Sequence, residues 1–132
     1  MDVVIDTSAL IAVIADEPEK GKLIQMTSGA ELIAPQSVHW EIGNALSAIM
    51  KRQRIVLSQA TRAIGIYQKI SIRFVEVKLE DTLEIVDKLG IYAYEAYLIR
   101  CAIKYKSPLL TLDQGLAEAA KEMNVKLQEV GQ

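Results

Sequence analysis

A single cysteine, a single histidine and a single tryptophan stand in a chain of 132 residues whose net charge is only -2. One thiol, Cys101, closes no internal disulfide and builds no thiolate metal centre. Ala102 and Ile103 follow it in an apolar helical stretch, so it reads as a reduced structural thiol. The near-neutral balance lacks the cationic excess that drives non-specific binding to duplex DNA, and any nucleic-acid contact has to come from a local patch. The longest uninterrupted apolar run, Ala9 to Ala15, falls far short of the roughly 20 residues that cross a bilayer. Met1-Asp2 leads straight into Val3-Val4-Ile5 without a basic region, a long apolar region or a small-residue cleavage site, so the protein is expected to stay in the cytoplasm, with no membrane partner. No glycine-rich phosphate loop follows the first apolar run, which counts against a dinucleotide-dependent oxidoreductase. No acidic pair beside that run supports a signalling domain modified at an aspartate.

What is present is ample core material. With 51% apolar residues and no repeat, low-complexity segment or linker, residues 1–132 are expected to form one domain. Val3-Val4-Ile5 predicts a short strand, followed by a helix to about Ala15 that Thr7 or Ser8 can cap. Pro18 and Glu19 begin a second helix through about Thr27, Gly29 stops it, and Leu32-Ile33-Ala34 is a second strand ended by Pro35. Ser37 can cap a long helix to about Arg52, on which Trp40, Ala45, Leu46 and Ile49 recur at helical spacing; core packing is the expectation for Trp40. Ser58 precedes another helical pattern, and Arg73 to Val77 reads as a strand. Helices from Leu79 to Gly90 and from Ala93 to about Lys106 follow, then a strand Leu109 to Leu112. A helix from about Gly115 to Met123, with Asn124 as its left-handed stop, precedes a weaker fifth strand from Val125 to Val130. This alternation is the pattern of an α/β domain with a mostly parallel sheet, whose strand ends open together on one side.

Two acids occupy such ends. Asp6 follows the first strand directly and Asp113 follows Leu109 to Leu112, with Thr111 two residues back and therefore on the same side if the strand continues. Helix capping at Asp6 and a turn before Gly115 are the structural alternatives. Glu41 sits in the first turn of its helix, where a carboxylate also suits the dipole. Asn44, Ala45, Ala48 and Arg52 follow it at spacings that make one face, small enough in the middle for a substrate to lie alongside. Glu95 lies near the start of its own helix between Tyr94 and Ala96. Only the four acids together carry weight.

The segments VIDTSAL around Asp6, WEIGNAL around Glu41, YEAYL around Glu95 and LLTLDQGL around Asp113, in that order, resemble the PIN-domain family and within it the compact VapC-like toxins of prokaryotic toxin-antitoxin pairs. The likeness covers essentially the whole chain. It implies a PIN-like three-layer α/β domain with a central, mostly parallel five-stranded sheet. It further implies acids clustered at the sheet's centre, frequent homodimerisation, a cognate antitoxin protein and endonucleolytic cutting of RNA. In one respect the sequence departs from the family, which usually has Asp where Glu95 stands. The extra methylene shifts the carboxylate by about 1 Å, a scale to which catalytic geometry is sensitive. Asp16 and Glu17 are possible substitutes if the first helix leans over the site.

An all-oxygen ligand set of Asp6, Glu41, Glu95 and Asp113 suits the hard ions Mg2+ or Mn2+ rather than structural zinc. Thr7, Ser8 and Thr111, whose hydroxyls can hold water or phosphate, and the amide of Asn44 on the Glu41 face are the supporting polar groups. Lys51, Arg52 and Arg54 form the densest basic cluster, either a solvated helix end or a phosphate track for RNA, with Trp40 or Tyr94 able to offer a face to a base. His39 projects from another helix face than Glu41 and is not counted in the site. The serious rival to a ribonuclease is a non-catalytic RNA-binding or protein-interaction module that keeps the fold.

Overall fold

The computed structural model describes residues 1–128. Strand β1 (Asp2–Ile5) lies at the centre of a parallel sheet with β2 (Glu31–Pro35) and β3 (Ile72–Val75) on one side and β4 (Leu109–Leu110) on the other, in the order β3-β2-β1-β4. Successive side chains of a strand point to opposite faces, so the near-total burial of Val3, Val4 and Ile5 means that both faces of β1 are covered. The same holds for Ile33 and Ala34 of β2. Each buried aliphatic chain contributes roughly 1.5–3 kcal/mol relative to exposure.

The crossovers are helical, as parallel pairing demands. Helix α1 (Thr7–Ile14) packs against α2 (Lys20–Thr27), α3 (Ser37–Lys51) and α4 (Leu57–Lys69). Helix α6 (Ala93–Lys104) lies across β1, β2 and β4 and carries α5 (Leu79–Leu89) on it. Its buried residues Leu98, Ile99, Cys101 and Ala102 form the central contact, and burial pushes the Cys101 thiol up to about 12, the state of an inert structural cysteine. Helix α7 (Gln114–Glu122) closes the described fold, with Asn124 left-handed at φ 60° after it and Gly90 at φ 66° ending α5, both as their sequence positions predict.

Several expectations are corrected. The sheet has four strands among the described residues, not five. The segment expected as a fifth strand makes a single parallel bridge, Leu127 to Leu109, through Leu109 N–H to the Lys126 carbonyl and Gln128 N–H to the Leu109 carbonyl, both 2.9 Å. The remainder of that expected strand, 129–130, lies outside the described residues. β4 is two residues long because Thr111 and Leu112 leave the ladder for side-chain partners described below. The first helix is capped by Asp6 rather than Thr7 or Ser8, and Ser37 is the first residue of α3, after Gln36. α4 begins at Leu57, before Ser58, where the Gln59 side chain accepts the Val56 N–H at 2.9 Å. Trp40 is not in the core: it is 73% exposed.

Burial predicts a contrast between two large side chains. Ile99→Ala should cost about 2–5 kcal/mol in urea unfolding, from lost transfer energy plus a cavity. Trp40→Ala should change stability by about 0.5 kcal/mol or less. Comparable losses would mean that Trp40 is packed after all.

Candidate active site

The strand order reverses direction at β1, because β2 and β3 extend the sheet one way and β4 the other. Such a switch point opens a crevice beyond the strands' carboxyl ends. Asp6 sits there, the residue after β1, only 3% exposed. Its Oδ1 caps α1 by accepting the Ala9 N–H at 3.0 Å. The Ser8 hydroxyl donates to Oδ1 at 2.8 Å, and the Thr111 hydroxyl donates to Oδ2. Each hydroxyl then accepts from backbone: Leu112 N–H on Ser8 and Asp113 N–H on Thr111, both 2.9 Å. Thr111 therefore meets the acids through a bent chain and not through continued strand alternation. Burial raises the Asp6 pKa above the ordinary carboxylate value, against the lowering effect of Thr111, Ala9 N–H and Ser8, and the charge of Asp113 raises it further.

Asp113 is exposed and caps α7, with Oδ1 accepting the Leu116 N–H at 3.0 Å. Gly115 allows this fit, since a Cβ there would come within 3.3 Å of Asp113 Oδ1. Glu41 lies one helical turn after Ser37 on α3, and burial lifts its carboxyl to about 7. The Thr7 and Ser37 hydroxyls face it closely enough to lower that value, and the charge of Asp6 raises it. Among the described residues none of these groups meets in a well-formed hydrogen bond, and Glu41 Oε2, Thr7 Oγ1 and Ser37 Oγ are all buried without a partner. Buried oxygens in native proteins are nearly always satisfied, so these three, which face one another without ideal geometry, leave acceptor capacity that a further group could use. A set of carboxylate and hydroxyl oxygens fits a hard divalent cation with its waters.

The structure brings Asp6, Glu41 and Asp113 within electrostatic reach of one another through Asp6, and it places Thr7, Ser8 and Thr111 among them. Glu95 is half-buried in the first turn of α6, and no hydrogen bond or ion pair ties it to these acids among the described residues. No three Asp, Glu, His or Cys side chains among the described residues are gathered as a preformed cage. Asn44 is exposed on α3. A groove of ≈ 690 Å³ leads from Thr7 and Ser8 past Ala45 and Ala48 to Arg52 and Arg54. Glu17 lines it too, whereas Asp16 is solvated and pairs with Lys20 at 3.4 Å; Lys51 is exposed outside it. His39 turns to Tyr67 of α4, with Nδ1 3.2 Å from the phenol oxygen. Ser37 is the site residue that sequence reasoning missed, and its spacing of four from Glu41 was the available signal.

No curated protein matches the chain. Among solved structures it resembles PAE2754 from Pyrobaculum aerophilum, with TM-score 0.71 and 24% identity over 90% of this chain and 87% of that one. It also resembles a chain of VapBC2 from Rickettsia felis, solved bound to a DNA fragment from its promoter, with TM-score 0.67 and 14% identity over 96% and 97%. A third likeness is to VapC20 from Mycobacterium tuberculosis, a sarcin-ricin loop cleaving toxin, with TM-score 0.65 and 15% identity over 89% and 94%. At these identities the structures establish a shared fold. The PIN domain family itself matches residues 3–122, nearly the whole described chain, and this protein belongs to that family.

Proposed function

We propose that this chain is a Mg2+- or Mn2+-dependent endoribonuclease that cuts single-stranded RNA, and that it is the toxin of a toxin-antitoxin pair. The observation that carries the reading is the set of buried oxygens of Glu41, Thr7 and Ser37 beside Asp6 without ideal hydrogen bonds among the described residues, with Thr7 also lining a groove that ends in two arginines. Asp6, Glu41 and Asp113 would hold the ion, with Glu95 contributing its charge from the start of α6. When bound, such an ion lowers the pKa of a water and neutralises charge on a leaving phosphate oxygen. The protein's own part is positional. Ser8 and Thr111 fix both Asp6 oxygens, so that carboxylate cannot swing. The groove floor of Ala45 and Ala48 leaves width for a strand, and Arg52 and Arg54 attract its phosphates. The acids repel phosphate on their own, so the cation is needed before RNA can approach. The toxin reading is supported by the fold shared with VapC20 and with a VapBC2 chain; a cognate antitoxin that covers the site and a homodimer belong to the same proposal.

Purified protein is expected to cleave single-stranded RNA in Mn2+ or Mg2+ and to stop in excess chelator, and Asp6→Asn should abolish cleavage. Asn keeps the cap on Ala9 N–H, so the variant should melt in chelator at or above the wild-type temperature. A saturating ion, at about 100 times Kd, should stabilise wild type by about 2.7 kcal/mol and the variant by far less. Cleavage that survives chelation would defeat the mechanism, and cleavage absent under all conditions would favour the binding-module reading.

Glu41 sets a pH signature in the metal-free protein. Its folded pKa of about 7 lies above the ordinary 4.5, so ionisation opposes folding once pH exceeds the unfolded value. The penalty grows up to about pH 7 and then levels off; it is relieved as pH falls. Glu41→Gln should therefore gain stability relative to wild type as pH rises through this window, measured by thermal melts in chelator from pH 4 to 8. A difference independent of pH would mean that Glu41 ionises in a solvated setting.

For Glu95, the Asp variant should retain or improve cleavage, because it keeps the charge, and the Gln variant should lose much of it. Equal initial rates for Gln and wild type would remove Glu95 from the site.

A further inference from the structure

Ser37 has a second neighbourhood. Besides facing Glu41, it lines a cleft of ≈ 410 Å³ whose walls carry Trp40 from α3 and Tyr94 and Tyr97 from α6. The side chain that precedes Glu41 in the chain and the one that precedes Glu95 thus meet across one opening, carried by the first turns of the same two helices that carry the acids. Trp40 and Tyr94 are 73% and 56% exposed. Isolated exposed aromatics are unremarkable, but here they share a concavity with Leu79, itself 62% exposed. Tyr94 and Tyr97 meet edge to face at 6.2 Å, and Trp40 meets the His39 ring edge to face at 4.9 Å. The volume falls in the range of about 300–1,000 Å³ typical of small-molecule sites.

We infer that this cleft is a nucleobase subsite, in which one unpaired base of the single-stranded RNA proposed above stacks on Trp40 or Tyr94 while its phosphate reaches the acids through Ser37's side of the cleft. The inference rests on the ribonuclease reading of the acid site. A base is the chemistry these walls fit: it is flat, uncharged and polarisable, so aromatic faces bind it without adding positive charge beside the carboxylates. The Gln36 amide, which also lines the cleft, offers both a donor and an acceptor to a base edge. The arginine groove carries no aromatic ring and the cleft carries no cation, so phosphate attraction and base stacking are divided between the two ends of α3.

Trp40 is the chain's one tryptophan, so its emission reports this cleft directly. In the full-length wild-type protein with Ca2+ in place of Mn2+, to fill the acid site without supporting cleavage, the hexaribonucleotide A6 should quench that emission saturably, and Tyr94→Ala should raise the Kd about tenfold or more. In the otherwise wild-type chain, Trp40→Ala should raise KM for a short adenine-rich RNA about tenfold with a smaller effect on kcat, and Trp40→Phe should recover most of the loss. Saturable quenching in a protein that never cuts RNA would support the subsite while refuting the nuclease. Efficient cutting with no quenching, and with KM unchanged by Trp40→Ala, would overturn the subsite alone. Sedimentation supplies the remaining arm. If Trp40→Ala turns a dimer into monomers and A6 leaves the emission unchanged, the cleft is a contact between two copies of the chain and the inference is wrong.

Discussion

Burying one carboxylate between two strands organises this molecule. Asp6 has almost no water, so its two oxygens must draw donors from the protein, and they draw them from both sides of the switch point: Ala9 and Ser8 on its own helix, Thr111 beyond β4. The Thr111 bond cannot form until β4 has docked on β1. The Leu112 N–H bond to Ser8 ties the same two segments again. Completion of the sheet and assembly of the site are therefore one event, and the shortness of β4 follows from it. Two of the backbone groups that would have extended the ladder are committed to hydroxyls that hold the acid.

The same arrangement places structural and chemical demands in conflict. A helix cap wants a fixed oxygen at an N-terminus, which Asp6 and Asp113 both supply, and in that role each residue needs no further justification. A buried acid wants solvent or a counter-charge, and the donors around Asp6 offset desolvation only in part, since its pKa remains raised. Glu41 is more exposed to this conflict than Asp6. Two hydroxyls face it without closing hydrogen bonds, and its ionisation falls near neutrality. Local unsatisfied polarity of this kind is tolerated where function requires it, and the surrounding core of β1, α1 and α6 is dense enough to hold it in place.

The alternation of strands and helices is legible in the sequence because β-branched runs, prolines and glycines punctuate it: Val3-Val4-Ile5, Pro35, Gly90 and Asn124 all act as their local chemistry dictates. Asp6 and Asp113 are legible for the same reason, since they terminate strands. What local chemistry does not reveal is which face of an element the rest of the chain covers. Trp40 sits at a helical spacing shared with core residues, yet among the described residues it stays mostly exposed, and no pattern within α3 distinguishes the two outcomes. Ser37 reads as a cap because serine before a helix usually is one; its neighbour four residues on, Glu41, matters only once both are buried together. Among the described residues the expected fifth strand shrinks to the bridge at Leu127 for a related reason. Two alternating apolar residues, Val125 and Leu127, suggest strand conformation but not how much of a partner is available, and β4 offers only two residues.

Helix α3 connects these features by simple geometry. Glu41 and Arg52 are eleven residues apart, which at 1.5 Å per residue is about 16 Å along the axis. That separation is too large for the guanidinium to neutralise a phosphate that Glu41 would face through an ion, so in the proposed ribonuclease the acids and the arginines would act on different phosphates of one strand. The division has an electrostatic benefit. Were the arginines beside the acids, they would pair with the carboxylates directly, hold their pKa values down and compete with a cation for the oxygens. At the far end of the helix they leave the acids unpaired, with Asp6 and Glu41 both raised, and under the proposed function would still attract an anionic strand along the alanine-lined floor. A chain of near-neutral total charge can in this way present an anionic pocket and a cationic track on one helix, with the alanines between them keeping the two from cancelling.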